Sequence, residues 1–382
     1  MARIVVAGNM VRFPMGGASL DYLAFLVGLR QLGHDVYFVE KARWPQACYD
    51  VAKRENTDDC SYGIAVAQAL LKQYDLAERW CYVELSGRYH GLSRERVAWA
   101  FATADAFVEL DGSGWETESA TTKRRVLIDG EPAWQQMNME NSERAGEQLP
   151  TFDYYYTTGH NVGTERSPSP TAGKTWGKIF WPITVDSVRF EPHTGEGAFT
   201  SVMRWRTNKS VTFNGKTYGQ KDLEFPKFMT LPRLTAIPLE IAVSRAPRET
   251  LELLRHSGWR VRDADEISVN LDSYWQYIRS SRGDFAVCKN VHVANNTGVF
   301  IDRPGWQMAS GRPAVVQDTG FSAHLPCGRG LFAVRTVEEA AAAIETITAD
   351  YMTHARAARE IAAEYLDARK VLARFLGEIG IS

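Results

Sequence analysis

The spacing of apolar and polar positions predicts alternating strands and helices from the start of the chain. Residues 3–7 form a short β-branched run, residues 20–32 carry apolar side chains at helical spacing, and residues 35–40 form a second apolar run. Ser19 is placed to cap the helix, and Gly33 is placed to end it. A strand, a helix and a strand in this order predict a βαβ unit with two parallel strands.

Further strands are predicted in the first half of the chain. Apolar runs at residues 104–110, 125–129 and 154–157 predict them, and polar or glycine-containing residues follow each run. Ligands of open parallel sheets collect at the carboxyl ends of the strands. We therefore expect the loops after these strands to contribute to a binding site, although each loop is equally compatible with a plain turn.

The pattern restarts after a change of character near Pro182. Two tryptophans stand around this proline and a Gly-rich polar stretch follows, which predicts a linker. Beyond the linker, residues 199–205 and 239–243 predict buried strands, and the turn Asn214–Gly215 predicts a hairpin. The chain is expected to end in Ala-rich helices, the last of them over residues 351–375.

The composition fits an ordinary globular protein with more than one domain. The chain has 382 residues, of which 45% are hydrophobic and 24% are charged, and its formal net charge is −2. Single hydrophobic cores stop growing at about 250–300 residues, so two domains are expected. The nearly neutral charge argues against a nucleic-acid partner.

The cysteines and the hydropathy of the chain bear on its compartment and on metal binding. No window reaches the roughly 18 apolar residues of a membrane span, and the N-terminus lacks the apolar core of a signal peptide. The five cysteines are scattered, without C-x-x-C or Cys/His ligand spacing. We therefore expect a reduced, cytoplasmic protein with no membrane span and no bound metal.

The loop after the first predicted strand contains Gly8, Gly16 and Gly17. This loop is longer than the G-x-G-x-x-G dinucleotide fingerprint and does not match it, which disfavours a nicotinamide or flavin dehydrogenase. Gly16, Gly17 and Ser19 instead lead into a helix N-terminus, where free backbone N–H groups can meet a phosphate or a sugar hydroxyl. A tight connection without a ligand explains the same residues equally well.

Two segments resemble GT-B glycosyltransferases. Trp306–Gly320 reads WQMASGRPAVVQDTG and is similar to their donor-binding region, where a helix ending in Ala-x-Gly-x-Pro precedes a strand of small apolar residues and an Asp-x-Gly-Gly turn. Gly28–Val36 reads GLRQLGHDV and is similar to the start of their acceptor domain. The resemblance runs through the whole chain in order, although each motif is degenerate.

The resemblance implies an α/β fold of two Rossmann-like domains facing across a cleft, with C-terminal helices. Residues 1–182 are then the N-terminal, acceptor-binding domain, and residues 183–360 are the C-terminal domain that binds the nucleotide-sugar donor. Residues 361–382 are expected to form a C-terminal helix that packs back on the first domain. The implied enzyme is a glycosyltransferase, which moves a sugar from a nucleoside-diphosphate sugar to a small-molecule or glycan acceptor.

The resemblance also assigns the donor site. Asp318, Thr319 and Gly320 are expected to lie at the diphosphate, with their backbone N–H groups facing the phosphates at a helix N-terminus. Lys289 and Arg245 each follow a predicted strand and are candidates to stabilise the departing diphosphate. Basic residues and helix dipoles take the place of a metal in this fold, so we expect neither a metal nor a cofactor. A surface position is the alternative for Lys289.

One motif of the family is missing from the chain. The retaining group that Trp306–Gly320 most resembles carries a Glu-x7-Glu pair, which falls on Gly298 and Trp306 here. Asp302 and Arg303 lie one turn earlier and are candidates to replace the pair, with Arg303 on a phosphate and Asp302 on a ribose hydroxyl. A local ion pair is the alternative for both. The stereochemical outcome therefore stays open.

If the enzyme inverts the configuration at the anomeric carbon, a base must take the proton of the acceptor hydroxyl. A retaining enzyme can use the leaving phosphate for this purpose. His160 is the first candidate for this base, and Asp129 and Asp111 follow, because all three lie at or just beyond the ends of predicted strands of the first domain. An isolated loop histidine is more often a surface residue.

Two other functions are compatible with the same fold. A nucleotide-sugar 2-epimerase needs a different set of acidic and basic groups around the sugar. An inactive sugar-nucleotide-binding protein is favoured by the missing glutamate pair and disfavoured by the intact turns near residue 320. The sequence leaves open whether the chain forms a homodimer.

Overall fold

The fold was analysed in a computed structural model that describes residues 1–110, 112 and 114–382. Asp111, one of the predicted bases, lies outside the described residues. The strands run in chain order as β1 (Arg3–Ala7), β2 (Asp35–Lys41), β3 (Cys48–Asp50), β4 (Glu55–Thr57), β5 (Trp80–Val83), β6 (Tyr89–Gly91), β7 (Ala106–Leu110), β8 (Arg125–Asp129), β9 (Tyr154–Thr157), β10 (Trp176–Lys178), β11 (Phe199–Arg204), β12 (Val211–Phe213), β13 (Lys216–Tyr218), β14 (Leu239–Ser244), β15 (Arg260–Asp263), β16 (Gly283–Ala286), β17 (Ala314–Gln317) and β18 (Leu331–Val334).

Helices connect these strands and cover the sheets. They are α1 (Gly16–Gln31), α2 (Ser61–Gln73), α3 (Arg94–Ala102), α4 (Trp134–Arg144), α5 (Lys221–Glu224), α6 (Arg248–His256), α7 (Ala264–Ile267), α8 (Leu271–Ser280), α9 (Asn290–Ala294), α10 (Asp302–Ala309), α11 (Val337–Ala349), α12 (Tyr351–Ile361) and α13 (Ala368–Glu378). Among the described residues, no helix is long and apolar enough to cross a membrane.

The first sheet has the strand order β10-β9-β8-β7-β1-β2-β5-β6. All neighbouring strands are parallel except β5 and β6. Strand β1 lies between β2 and β7, with Arg3 paired to Asp35 and Ile4 paired to Ala106. The strand order reverses at β1, which opens a crevice at the carboxyl ends of the central strands.

The second sheet repeats this plan with the order β15-β14-β11-β16-β17-β18, and all of its strands are parallel. Strand β11 lies between β14 and β16, so the strand order reverses there. We call the first sheet with its helices the first domain, and the second sheet with its helices the second domain.

Helix α1 carries apolar residues on nearly all of its faces, and other elements of the fold cover several of these faces. Every residue of its central segment, Leu23–Leu29, is buried. On one side, Gly28 touches α13: a Cβ atom at Gly28 would lie 2.6 Å from Leu372 Cδ1 and 2.8 Å from Ala368 Cβ. The helix that ends the chain therefore packs against the first domain.

The long helix predicted over residues 351–375 is broken in the structure. A π-turn at residues 362–366 ends α12, and Asp367 then starts α13 by accepting hydrogen bonds from the backbone N–H groups of Arg369 and Lys370. The Ile183 N–H donates to the Leu366 carbonyl at 2.8 Å. The break therefore lies where the chain returns to the first domain. It is next to Ile183, where the chain first passes from the first domain to the second.

A second connection between the domains is the hairpin β12–β13, which the turn Asn214–Gly215 correctly predicted. The hairpin forms a separate two-stranded sheet, is inserted between β11 and β14 of the second domain, and lies against α4 of the first domain. The Asn141 side chain donates to the Thr212 carbonyl at 2.9 Å, and Phe213 is buried in a cluster with Ala133 and Met137.

Candidate functional site

A cleft of about 910 Å³ lies between the domains. The first sheet contributes Asn9, after β1, and Glu131, after β8. The second sheet contributes Arg204 at the end of β11, Arg245 after β14 and Lys289 after β16. Both parallel sheets therefore direct their carboxyl ends at one cavity, which is where open α/β sheets bind ligands.

The basic side chains of the second domain that line this cleft include Arg204, Lys221, Arg245 and Lys289. Burial and the nearby charge of Arg245 lower the pKa of Arg204. The guanidinium carbons of Arg204 and Arg245 lie 5.4 Å and 5.5 Å from the centre of the Tyr49 ring. Positive groups held this close together favour an anionic ligand.

Lys221 is the first residue of α5 and is half-buried. Burial, followed by the charges of Arg303 and Lys289, lowers the pKa of Lys221 to about 8. An ammonium group among other cations gains most when an anion binds, because the anion removes their mutual repulsion.

The N-terminus of α1 lies in the same cleft. Gly17 and Ala18, in its first turn, are among the lining residues. First-turn N–H groups have no acceptor within their own helix and carry the positive end of its dipole. The Arg204 side chain reaches the residue before this helix, with Nη2 2.7 Å from Met15 Sδ. The cations and the helix N-terminus are therefore neighbours.

The three predicted residues of this loop have different positions. Gly17 lines the cleft, whereas Gly16 serves the packing of α1, because a Cβ atom there would lie 2.6 Å from Tyr274 Cβ. Ser19 is fully buried and is not one of the described residues that line the cleft.

Lys289 is held by a carboxylate from the opposite domain. Its ammonium group forms an ion pair with Glu131, and His292 Nε2 lies 3.4 Å from the other oxygen of that carboxylate. His292 Nδ1 donates to the Pro132 carbonyl at 3.0 Å. Burial opposes ionisation of Glu131, but the charges of Lys289 and His292 outweigh it and lower the pKa of Glu131 to about 2.

Asp129 lines the cleft, but its carboxylate is already occupied. It accepts hydrogen bonds from Gln136 Nε2 at 2.7 Å, from Thr157 Oγ1 at 2.8 Å and from the Glu131 N–H at 2.7 Å. Burial raises the pKa of Asp129 to about 6 in spite of these bonds. This arrangement orients the loop that carries Glu131.

His160, the first predicted base, is not among the described residues that line the cleft. Its ring stacks on Phe180 with 3.9 Å between the ring centres, and Gly159 pairs with Val299 of the second domain. Burial, and to a smaller extent the neighbouring His324, lower the pKa of His160 to about 3. His160 does follow a strand of the first sheet, β9, as predicted. However, the chain after this strand runs along the contact between the domains and not along the cleft.

Arg303 and Asp302 both line the cleft, with different consequences. The Arg303 guanidinium binds the buried Asp284 carboxylate through Nε at 2.9 Å and Nη2 at 3.2 Å, and it also donates to the Val202 and Phe285 carbonyls. Four of the five N–H groups of Arg303 therefore already donate hydrogen bonds within the protein. Arg303 is mainly the partner of Asp284 in a buried ion pair. Asp302 remains half-buried in the first turn of α10.

The predicted diphosphate turn does not reach the cleft, since Asp318, Thr319 and Gly320 are absent from its described lining. Asp318 accepts a hydrogen bond from the Gly320 N–H at 2.8 Å and pairs with Arg335 at 2.7 Å. Thr319 Oγ1 donates to the Val299 carbonyl at 2.6 Å. The turn leads into only three residues of 3₁₀ helix, so the helix N-terminus expected to bind phosphate is not formed there.

Comparison with known proteins gives a fold match but no sequence match. No family model matches the chain, and neither does any curated protein sequence. Solved structures do match over nearly the whole chain. An alpha-glucosyltransferase in complex with UDP and a 13-mer DNA containing an HMU base has a TM-score of 0.59 and 11% identity, with 99% of each chain covered.

Two further structures agree with the first. Anabaena Alr3699/HepE in complex with UDP and glucose has a TM-score of 0.53 and 12% identity, over 99% of this chain and 100% of that one. AviGT4, a glycosyltransferase involved in avilamycin A biosynthesis, has a TM-score of 0.51 and 11% identity, over 99% and 97%. These structures are GT-B glycosyltransferases with two Rossmann-like domains.

The chain has the GT-B fold. The predicted fold class is thereby confirmed, and the cleft described above is the one between the two GT-B domains. Trp306, which is not among the described residues that line this cleft, stands in place of the second glutamate of the retaining group and is buried against Trp275, with 5.9 Å between the ring centres. Gly298, in place of the first glutamate, has φ +76° and a Cβ atom there would lie 2.8 Å from the Asn161 nitrogen. Both positions are used for packing.

The sequence analysis missed two cleft residues, Arg204 and Lys221, and did not single out a third, Glu131, although it expected the loop that carries Glu131 to contribute to the site. Arg204 ends β11 just as Arg245 follows β14, so the strand-end argument was sufficient to find it. Glu131 follows a predicted strand in the same way and was passed over for Asp129. Lys221 is separated from β11 by the hairpin insertion, and nothing in its local sequence distinguishes it from a surface lysine.

Proposed function

We propose that the protein is a glycosyltransferase that moves a sugar from a nucleoside-diphosphate sugar to a hydroxyl group of a small-molecule or glycan acceptor. The observation that carries this proposal is the convergence of Arg204, Lys221 and Arg245 with the N-terminus of α1 in the cleft of a GT-B fold. Two of the similar solved structures hold UDP, which supports a nucleotide in this cleft.

The basic residues bind the diphosphate and stabilise it as it leaves. When the bond between the anomeric carbon and the phosphate oxygen breaks, negative charge develops on the diphosphate, and fixed cations lower the energy of that charge. Arg204 and Lys221 provide this charge beside the helix N-terminus, and Lys289 joins them from β16. The proposal requires no metal. Asp302 remains our candidate for the ribose hydroxyls of the donor.

Glu131 is our candidate for the catalytic base. A bound diphosphate competes with Glu131 for the Lys289 ammonium, and Glu131 becomes more basic as it loses this partner. It then takes the proton of the acceptor hydroxyl, the acceptor oxygen bonds to the anomeric carbon, and the bonding electron pair leaves with the diphosphate. In a retaining reaction the leaving phosphate takes the proton instead, and Glu131 only orients Lys289.

The acceptor is expected on the wall formed by the first domain. Trp44, Trp134 and Trp181 line the cleft there, and Trp44 is 48% exposed. Aromatic faces of this kind pack against sugar rings and against aromatic small molecules. Such a wall suits a small-molecule or glycan acceptor.

The proposal is tested by measuring the heat of binding of UDP, GDP and dTDP, followed by release of nucleoside diphosphate from their glucose and N-acetylglucosamine conjugates. We expect one nucleotide to bind and its sugar conjugate to be consumed in the presence of sugar acceptors. If none of the three nucleotides binds, the proposal is wrong. Binding without any turnover supports the inactive binding protein, and conversion of UDP-N-acetylglucosamine to its 2-epimer, observed by NMR, supports the epimerase.

A further inference from the structure

A cluster of metal-binding side chains lies at the edge of the first sheet, outside the cleft lining. Cys60 precedes α2, Glu84 follows β5 and His90 lies in β6. A thiol sulfur, a carboxylate oxygen and an imidazole nitrogen from these residues all lie within 4.8 Å of one another. The three residue types are the usual protein ligands of zinc.

The distances between these atoms are close to those around a zinc ion. Cys60 Sγ is 3.6 Å from Glu84 Oε1, and His90 Nε2 is 2.6 Å from the same oxygen. Tetrahedral zinc, with bonds of about 2.0–2.3 Å, separates a sulfur and an oxygen by about 3.5 Å, and a nitrogen and an oxygen by about 3.3 Å. The first pair already has this spacing. The second pair, now joined by a proton, must open by about 0.7 Å when a metal replaces that proton.

A fourth donor lies beside Cys60, although it is not one of the atoms that lie within 4.8 Å of one another. Cys48, in β3, is buried, and its thiol interacts with the Cys60 thiol and lies 3.1 Å from the Tyr82 hydroxyl. When the Cys48 side chain turns toward the other three, two thiolates, an imidazole and a carboxylate form a four-coordinate set in which the soft sulfur ligands favour zinc over magnesium or calcium.

Access to the cluster is limited but present. Cys60 is only 4% exposed, whereas the side chains of Glu84 and His90 are 26% and 19% exposed. An ion can therefore enter from the side of Glu84 and His90 and then be shielded by the two cysteines. This combination suits a structural metal, which is held tightly and makes no contact with substrate.

We propose that Cys48, Cys60, Glu84 and His90 bind one zinc ion. On binding, the two thiol protons pass to solvent and two zinc–sulfur bonds form, together with bonds to the imidazole nitrogen and the carboxylate oxygen. This site revises the sequence-based expectation of no metal, which rested on the spacing of cysteines that the fold brings together.

The role of the ion follows from what it joins. It ties β3 and the start of α2 to the β5–β6 edge of the sheet. Ala47, directly before β3, lines the cleft, and the Tyr49 ring lies beneath Arg204 and Arg245. The zinc ion therefore fixes one wall of the cleft without taking part in the chemistry, and the inference stands independently of the proposed glycosyl transfer.

The test uses the full chain, purified under reducing conditions from zinc-supplemented medium without chelators. Elemental analysis is expected to find about one zinc ion per chain. After removal of zinc, cobalt(II) is titrated in, and the thiolate-to-cobalt charge-transfer band and the intense visible bands of tetrahedral cobalt are expected to saturate at one equivalent. Cys60→Ser and His90→Ala are expected to bind cobalt at least about tenfold more weakly. Cys327→Ser, which removes an exposed cysteine outside the cluster, is the matched control.

Two results overturn the inference. One is a wild-type protein that purifies without zinc and shows no thiolate–cobalt band. The other is full zinc binding by both Cys60→Ser and His90→Ala. If these variants do not fold, alkylation of the wild type decides: bound zinc is expected to slow the reaction of Cys48 and Cys60 with iodoacetamide, mapped by mass spectrometry. Equal labelling with and without zinc contradicts the site.

Discussion

Lys221 is the residue whose charge we expect to contribute most clearly to donor binding. A hydrogen bond to a charged group contributes about 1.5–3 kcal/mol, and each 1.4 kcal/mol corresponds to about tenfold in affinity. Lys221→Met keeps the length of the side chain and removes its charge. We expect it to weaken binding of the nucleoside diphosphate by about tenfold to a hundredfold, measured by isothermal titration calorimetry.

Lys72→Met is the matched control for this change. Lys72 is exposed on α2 and is not one of the described residues that line the cleft. The control removes the same charge from the whole molecule. A purely long-range electrostatic effect would therefore weaken nucleoside-diphosphate binding equally in both variants. Equal affinities for the wild type and for Lys221→Met would remove Lys221 from the donor site.

The depressed pKa of Lys221 also predicts a pH dependence of binding. With a pKa of about 8, the side chain is mostly charged at pH 7 and about one-tenth charged at pH 9. Only the charged form attracts the diphosphate, so affinity is expected to fall as pH rises through 8. An arginine stays charged over this range. Lys221→Arg is therefore expected to flatten the decline, and a decline of the same size in this variant would assign the titration to another group.

At the residue scale, the sequence predicted the kinds of site residue better than their positions. A basic residue after a second-domain strand was expected, and Arg245 and Lys289 both reach the cleft. His160 was misplaced because a strand end says which edge of the sheet a loop occupies, but not whether the loop faces the cleft or the other domain. The position of Lys221 in the cleft could not be predicted from the sequence, because it depends on how the inserted hairpin β12–β13 folds.

At the scale of elements, α1 depends on two adjacent glycines with different surroundings. A Cβ atom at Gly16 would lie 2.6 Å from Tyr274 Cβ and 2.7 Å from the Asn270 carbonyl oxygen. At Gly17 its nearest neighbour would be the Tyr274 ring at 3.3 Å. Gly16→Ala is therefore expected to push α1 away from α8 and destabilise the protein by about 1–3 kcal/mol, measured by urea unfolding.

Gly17→Ala is the internal comparison for this prediction. Both substitutions gain the same intrinsic helix propensity of about 1 kcal/mol, so a difference between them reports on packing. We expect Gly17→Ala to be neutral or slightly stabilising. If Gly16→Ala is as stable as Gly17→Ala, the contact between α1 and α8 does not constrain the start of the helix.

Elements with a strong local pattern were predicted well. The first strand was predicted at its observed bounds, and the first helix was predicted over residues 20–32 but begins at Gly16. The error at its start arises because Ser19 resembles a cap, whereas the helix starts without a side-chain cap. The break at Asp367 was missed because its cause, the pairing with Ile183, comes from a distant part of the chain.

At the scale of the whole molecule, the order of strands and helices together with the resemblance to GT-B enzymes was enough to predict two facing Rossmann-like domains. The contacts that join them were not predictable in the same way, since they pair segments that no periodicity connects. The hairpin β12–β13 is the clearest case: its turn was visible in the sequence, but its place on α4 was not. Its position in the chain, between Arg204 and Lys221, links the contact between the domains to the cation cluster.

Phe213 tests this link between the domain contact and the donor site. Its ring is buried with Ala133 and Met137 of the first domain, and the Arg144 guanidinium carbon lies 4.8 Å from the ring centre. Truncating a buried phenylalanine removes about 3–5 kcal/mol of packing, and here the loss falls on the contact between the domains. Phe213→Ala is expected to raise the radius of gyration in small-angle X-ray scattering and to weaken nucleotide binding. Thr217→Ala, on the exposed face of the same hairpin, is the control and is expected to change neither the radius of gyration nor the affinity. If both quantities are also unchanged in Phe213→Ala, the hairpin does not hold the domains together.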